Sequence, residues 1–512
     1  MRGTAEAQSV LWATDALCGD LIEDEGFLAT LGRAIGSVFS DADFDRLYPS
    51  GRGRPSHPPS VLAALLLAQV FHGVSDREAQ RRSRLDLSWK AALGLPLDHR
   101  GIPHVCLAEF RARLLRADME GFLHEQLLKV ATQAGVVGRR RTIDSTGISD
   151  SVMTQDTVTL IRQALRRCVA VLAKLDPDRA ARLESGLLRD DYQREGKPQI
   201  LWSDPTARAR LLGELFADAQ TVVESCQQIG DAELESACRL LATVAGQDLE
   251  PDVDSEAKVK LRQGVAADRV ISTVDPDARH GHRSRSDRYD GYKLHLSADI
   301  DSDLITAAEA TRATATDASV LEPLLDADPV PVAEVIADTA YGDGATRQSM
   351  EQRQVELVAP APPVPGRPGL FNKQDFTIDL VDNTATCPAG HTVSARRHRK
   401  RRNPSAHRQF RFPQATCERC PLRASCTTSP KGRVVTVGPH EELLSKARAA
   451  RPTVEFRERY RRRAQIERKA AQVKFRCPMI PWRGLIKAKA WVRLRVAALN
   501  LHRLGVLGIL TP

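Results

Sequence analysis

No stretch of this 512-residue sequence runs for the roughly 18 apolar residues that a membrane-crossing helix needs. Its first 25 residues carry acids where a secretory leader would place a basic and then an apolar block. A cytoplasmic location is the expectation. The ten cysteines are spread irregularly and lack the density of a disulfide scaffold, which points to reduced thiols. An acidic surplus is missing as well: 74 Lys and Arg against 65 Asp and Glu leave a net charge of +9. The basic surplus is clustered, in RRHRKRR at 396–402 and RERYRRR at 457–463. A basic run alone can be a solvated face, whereas two runs near a metal-type acid favour a nucleic acid partner. A chain this long implies about two to four domains and buries a substantial core.

The most informative stretch is YRRRAQIERKAAQVK, residues 460–474, which places Tyr460, Arg463, Glu467 and Lys474 at offsets of three, four and seven. At roughly 100° per residue these four fall within about 60° on one helical stripe, and the alanines favour the helix. Taken alone, the pattern also fits an exposed helix with an Arg463/Glu467 pair. Two further carboxylates end short apolar runs: Asp144 in RRRTIDSTGISD and Asp338 in VPVAEVIADTAYGD. A strand-end Asp is commonly a turn cap. Three acids in the order strand, strand, helix also suit two divalent ions acting on a phosphodiester.

With these residues the sequence resembles bacterial insertion-sequence transposases of the Asp-Asp-Glu type, whose Glu helix carries Tyr-x2-Arg-x3-Glu-x6-Lys, matched here at all four positions. TIDSTGI, DGYKLHLSADID, ADTAYGD and ALNLHRL extend the likeness from about residue 40 to the end, most weakly over 150–265. The resemblance implies an α/β fold: a ribonuclease H-like mixed sheet with a helical N-terminal DNA-binding domain and a helical insertion. It implies that Asp144, Asp338 and Glu467 hold Mg2+ or Mn2+, two ions in all, and that Tyr460, Arg463 and Lys474 contact transposon-end DNA. The partners implied are double-stranded end and target DNA and a second copy in a synaptic dimer. A nuclease of the same fold without strand transfer, and an inactive DNA-binding repressor, remain as alternatives.

Along the chain, 1–135 reads as a helical N-terminal domain. FLATLGRAIGSVF is one helix and YPSGRGRPSHPP a linker. PSVLAALLLAQVFHG is a buried helix closed by Gly73, SDREAQRRSR a helix with Ser75 and Glu78 at capping-box spacing, and LDLSWKAALGL a third. Residues 59–95 thus resemble a helix-turn-helix that turns Arg77, Arg81, Arg82 and Arg84 to DNA; the alternative is a packing or dimerisation bundle. Residues 104–135 read as a continuous helix.

The second unit, 136–512, reads as the catalytic domain, interrupted by a helical insertion at 150–265 and a Cys-containing basic insert at 360–440. Cys168, Cys226 and Cys238 fit a core. From 268 a β-β-α-β-α-β order follows the Asp144 strand, with His280, His282, Arg283, Arg285 and Lys293 placed where a DNA backbone could run. Cys387, Cys417, Cys420 and Cys426 are enough for a structural Zn2+; buried reduced thiols or a redox pair are the other readings. After 477 comes an amphipathic basic helix that covers the sheet, with Trp482 and Trp491 either stacking on splayed bases or filling core.

Overall fold

The computed structural model describes the chain apart from residues 5–12, 23–24, 51–52, 228, 253–257, 283–285, 398–406 and 511–512. Arg283, Arg285 and most of the 396–402 run therefore lie outside the described residues.

The N-terminal unit is helical. Helix α1 (Phe27–Ala34) precedes α2 (Pro59–His72), which starts on a proline and buries twelve of its fourteen residues. Gly73, left-handed at φ 66°, ends α2, and α3 (Asp76–Leu85) leaves at 112° to it. That bend lies in the range of helix-turn-helix units. Half of the expected capping box forms: the Ser75 side chain accepts the Glu78 N–H, while the Glu78 carboxylate turns forward to Arg81 and Arg82. Helix α4 (Leu87–Ala92) is capped by Asp86. The continuous helix expected at 104–135 is two, α5 (His104–Arg116) and α6 (Phe122–Gln133). Asp118 at φ 51° breaks the run, a backbone state that periodicity of apolar residues does not reveal.

A mixed sheet forms the centre. Strand β1 (Arg140–Asp150) lies between β3 (Arg288–Asp299), antiparallel to it, and β5 (Glu334–Ile336), parallel to it. Strand β4 (Ile305–Arg312) runs antiparallel to β3, and β6 (Glu356–Val358) runs parallel to β5. The minor strands β2 (Arg279–His282) and β7 (Met479–Ile480) join β3 and β1. Strand β2 falls where a basic loop was expected, and there His280 Nδ1 meets Asp290 Oδ1 at 2.6 Å, an acidic neighbour that the sequence did not suggest.

Between β1 and β2 stand α7 (Thr157–Leu175), α8 (Pro177–Ser185), α9 (Pro205–Cys226) and α10 (Ala232–Asp248), closed by a hairpin of Leu249–Pro251 with Val259–Leu261. Their core is their own and includes Cys168 and Cys226, with Cys238 against it. One face of the central sheet packs Ile143, Ala307 and Val335 under α11 (Ala318–Asp326) and α12 (Gly344–Gln352). After the Cys-containing insert come α13 (Glu441–Ala450), α14 (Val454–Tyr460), α15 (Ala464–Lys474) and α16 (Leu485–Val506). On the other face of the sheet, Ile148, Tyr292, Leu294 and Leu296 meet Ile466 and Val473 of α15 and Trp491, Val492 and Val496 of α16. Trp491 is thus core.

Helix α16 has a second apolar side. Leu494, Ala497, Ala498, Leu501 and Leu504 complete the core of α1–α6 together with Leu31, Leu65 and Phe110. The boundary drawn at residue 135 therefore cuts through a shared core. No single helix among the described residues is long and apolar enough to cross a membrane.

Candidate active site

The register of the sheet brings the two acids to neighbouring strands, but only Asp338 is at a strand end: Asp144, expected there too, lies inside β1, which runs on to Asp150 because its pairing with β3 continues past the end of β5. Strand β5 pairs with β1 over three residues, the last being Thr142 opposite Ile336. Asp144 and Asp338 each lie two residues beyond that pair, on parallel neighbours, where the ladder has opened. Side chains alternate along a strand, so Asp144, Thr146 and Ile148 share the face covered by α15. Asp338 caps the following turn through the Ala340 N–H at 2.9 Å, as strand-end aspartates commonly do.

The expected helical stripe forms, with a tighter turn inside it: Arg461–Arg463 is a 3-10 segment between α14 and α15. Arg463 bridges two of the acids. Its Nη2 meets Asp144 Oδ2 at 2.9 Å and its Nη1 meets Glu467 Oε1 at 2.7 Å. Lys474 donates to Thr146 Oγ1 at 2.7 Å, one step along β1 from Asp144. Glu467 is more than half exposed, at 55% of its side-chain surface, whereas Asp144 retains 14%.

The electrostatics are those of a crowded acid site. Burial pushes the Asp144 carboxyl up to about 6, with Asp338 and Asp317 adding to the effect and Arg463 and the Ser145 N–H opposing it. Burial works against the Arg463 charge, yet Asp144, Tyr460, Glu467 and Asp338 outweigh it and raise its pKa.

Asp317 was not anticipated. It stands at the N-cap of α11 without making a cap hydrogen bond, and its Oδ1 instead meets Lys293 Nζ at 3.0 Å. Beside it His295 is buried, its Nε2 at 2.9 Å from Thr311 Oγ1, and burial holds it down to about 4. Burial, then Asp317, Asp144 and Asp338, raise the Tyr341 phenol well above its ordinary value. The only cue in TATDASVLEP was an Asp ahead of a helix, which reads as a cap. Lys293 was expected to meet a DNA backbone; it is mostly buried, ion-paired with Asp317 and donating to the Ala315 carbonyl at 2.7 Å. An internal acid within reach of a flexible ammonium is what redirects it.

Tyr460 stacks on Phe456, ring centroids 5.4 Å apart, and packs against Ile300, Ile336 and Val358 at the sheet edge. Arg77, Arg81 and Arg84 are exposed on α3, while Arg82 pairs with Glu78 at 3.0 Å and lies over the Trp89 ring. Trp482 lies partly buried under Arg111, whose guanidinium is 4.9 Å from the ring. Cys387, Cys417, Cys420 and Cys426 line one small cavity, and burial raises the Cys426 thiol while Arg433 opposes the shift.

Among the described residues no three His, Cys, Asp or Glu side chains are set, as placed, to hold a metal ion. The chemistry of the acid set nonetheless fits a hard cation: oxygen donors alone, one carboxylate pushed up by burial and then by its like-charged neighbours, and a guanidinium where positive charge is needed.

A family model described as a transposase DDE domain matches residues 386–505. One described as a transposase domain (DUF772) matches residues 17–113. The first takes in Glu467, the 460–474 stripe and the four cysteines, and leaves out Asp144 and Asp338. No curated protein and no solved structure matches the chain. The two matches support an insertion-sequence transposase acting on DNA.

Proposed function

We propose that the chain is a DNA transposase of the Asp-Asp-Glu type, which binds the terminal inverted repeats of an insertion sequence, cleaves a strand there and joins the freed 3′ hydroxyl to target DNA. The observation that carries this reading is the bridge from Asp144 through Arg463, 319 residues further on, to Glu467 of α15, which ties a strand to the start of a helix beside Asp338. The sheet order β4-β3-β1-β5-β6, with its last two strands parallel to β1, supports a ribonuclease H-like core.

In this reading Asp144, Asp338 and Glu467 hold Mg2+ or Mn2+. Bound there, the ions would polarise the scissile phosphodiester and lower the pKa of an attacking water. The protein's own groups do the positioning. Arg463 presents a guanidinium next to the acids, suited to bidentate contact with a phosphate. Lys474 extends the cationic row along β1, and Tyr460 fixes the entry to α15 by stacking at the sheet edge. Arg77 and Arg81 on α3 face solvent at one end of the bent pair α2–α3, the part of such units that enters a major groove. Lys293, held by Asp317, is left out of the phosphate-contacting set. Two copies are needed if both transposon ends are processed together.

The test is Mg2+-dependent nicking and joining of end-bearing DNA by the full chain and by Asp144→Asn, Asp338→Asn and Glu467→Gln. Each variant should lose cleavage to background while its end binding, set by basic side chains, stays within about threefold of the parent. Cleavage surviving in any one removes that residue from the set. Cleavage without joining makes the protein a nuclease, and binding without cleavage by the parent makes it a repressor.

A further inference from the structure

We propose that Cys387, Cys417, Cys420 and Cys426 form a structural zinc site that holds the insert ahead of α13 together. The insert is poorly equipped to hold itself. It consists of two three-stranded sheets with strands of two to four residues, Thr377–Asp379 with Thr384–Thr386 and Thr392–Ser394, and Arg396–Arg397 with Arg408–Arg411 and Val434–Val437. Its core is six buried residues: Phe376, Ala385, Phe410, Phe412, Val435 and Val437. Units of this size generally need a disulfide or a metal to persist. All four cysteines are free thiols.

The thiols converge from two pieces of chain. Cys387 follows the middle strand of the first sheet at a tight turn, where its carbonyl accepts the Gly390 N–H at 2.8 Å. Cys417 lies in a short helix, Cys420 just past it, and Cys426 closes the following 3-10 turn. The four side chains line a cavity of about 20 Å³, little more than the space for one water. Thiols are weak hydrogen-bonding partners, so water is poorly held there, and an unfilled void forfeits dispersion contacts on every side. Zn2+ with four soft sulfur ligands suits both the size and the donors. As placed, the side chains are not at ligating geometry; they need to draw in around the ion.

The surroundings match the charge of the product. Binding displaces four protons, Zn2+ and four thiols giving a tetrathiolate of net charge 2− and four H+ released to solvent. Two guanidinium groups, Arg423 and Arg433, line the same cavity. Arg433 donates to the Cys426 and Phe371 carbonyls, and its buried Nε–H has no hydrogen-bond partner among the described residues. A buried cationic donor without an acceptor is costly, and a thiolate supplies the acceptor.

The test uses the full chain purified without chelators. Elemental analysis should find one zinc per chain, and titration with an organomercurial should release it as the thiols are consumed. Cobalt exchanged into the unmodified chain should show thiolate-to-cobalt charge transfer and tetrahedral d–d bands. Cys420→Ser should lower bound zinc to background while Cys106→Ser retains it, and metal removal should open protease sites within 377–437. Absence of both zinc and the cobalt–thiolate band, or a Cys417–Cys420 disulfide seen by mass spectrometry, overturns the site. The cobalt spectrum is read on the parent chain, so a misfolded variant cannot mask the result. None of these readouts involves DNA cleavage, so the site stands or falls apart from the transposase reading.

Discussion

Arg495 is the residue whose replacement should reveal most about how the site is held. It is 1% exposed in α16, and all five of its N–H groups donate to backbone carbonyls. Nη1 reaches Val70 at 2.5 Å and Phe71 at 2.7 Å at the end of α2, while Nε and Nη2 reach Val473 and Gln472 at 3.0 Å and Phe475 at 2.5 Å at the end of α15. One cation thus satisfies the carbonyl ends of two helices and lies where both helix dipoles are negative. Burial lowers its pKa, with Cys477 opposing the shift and Arg476 adding to it, while the negative helix ends favour its charged form. Arg495→Met keeps the apolar stem and removes all five donors. Each orphaned carbonyl costs about 1–3 kcal/mol if it stays dry, but Phe475 is at the surface and water can reach it. The losses are also not additive. A net cost on the order of 4 kcal/mol follows, in line with breaking other buried charged contacts. That corresponds to about a 10³-fold rise in local opening. Hydrogen exchange read by mass spectrometry should show residues 59–72 and 464–475 losing protection together, and DNA cleavage should fall because Glu467 rides on the second segment. Arg495→Lys, with three donors, should fall between. Loss of protection in one segment alone, or a change under tenfold in both, refutes the idea of a shared latch.

Two further outcomes can be checked. His124 is buried with its ring nitrogen at 2.9 Å from the Ile305 carbonyl, and burial lowers its pKa from 6.5 to about 4, with Arg493 assisting and the Ile305 hydrogen bond and Asp328 opposing. A depressed histidine binds its proton first in the unfolded chain, so its penalty is absent above pH 6.5 and grows as pH falls toward 4, reaching on the order of 3 kcal/mol. Melting curves of the parent and His124→Asn should converge as pH drops through that window; a constant difference would show that His124 does not titrate this way. Separately, Arg77→Ala with Arg81→Ala should lower the preference for end over random DNA at fixed salt, since discrimination needs groups aimed at a groove. Unchanged competition binding would return α2–α4 to a packing role.

What the sequence disclosed were features with a local signature. The 460–474 stripe was readable because helix geometry ties Arg463 to Glu467 without help from the rest of the chain, and the strand and helix order from 288 to 358 was readable from alternation and turns. What stayed hidden depends on partners far away. Arg493 and Arg495 look alike in WVRLRVAALN, yet Arg493 pairs with Glu120 and Glu309 while Arg495 is buried. Lys293 looks available in DGYKLHLSADID, yet Asp317, 24 residues on, lies beside it and takes its charge. A domain boundary near 135 was plausible from the start of a strand, but no local pattern says that the last helix of the chain returns to fill the first core.

The span between Asp144 and Arg463 also sets a clock. At about 5–20 residues per second, ribosomal synthesis separates their emergence by roughly 15–65 s. Strand β3 ends at Asp299 and α15 begins at Ala464, so for the 165 residues between, roughly 8–33 s at the same rate, β1 and β3 can pair while Ile148, Leu294 and Leu296 have neither α15 nor α16 to cover them. The nascent chain therefore carries an uncovered apolar sheet face for roughly 8–33 s, the condition in which chaperones engage and strands from neighbouring chains associate. A chain released between residues 359 and 463 would keep Asp144 and Asp338 but lack Glu467 and the cover over that sheet. Premature termination is therefore expected to yield aggregation-prone chains that lack one of the three acids of the proposed site.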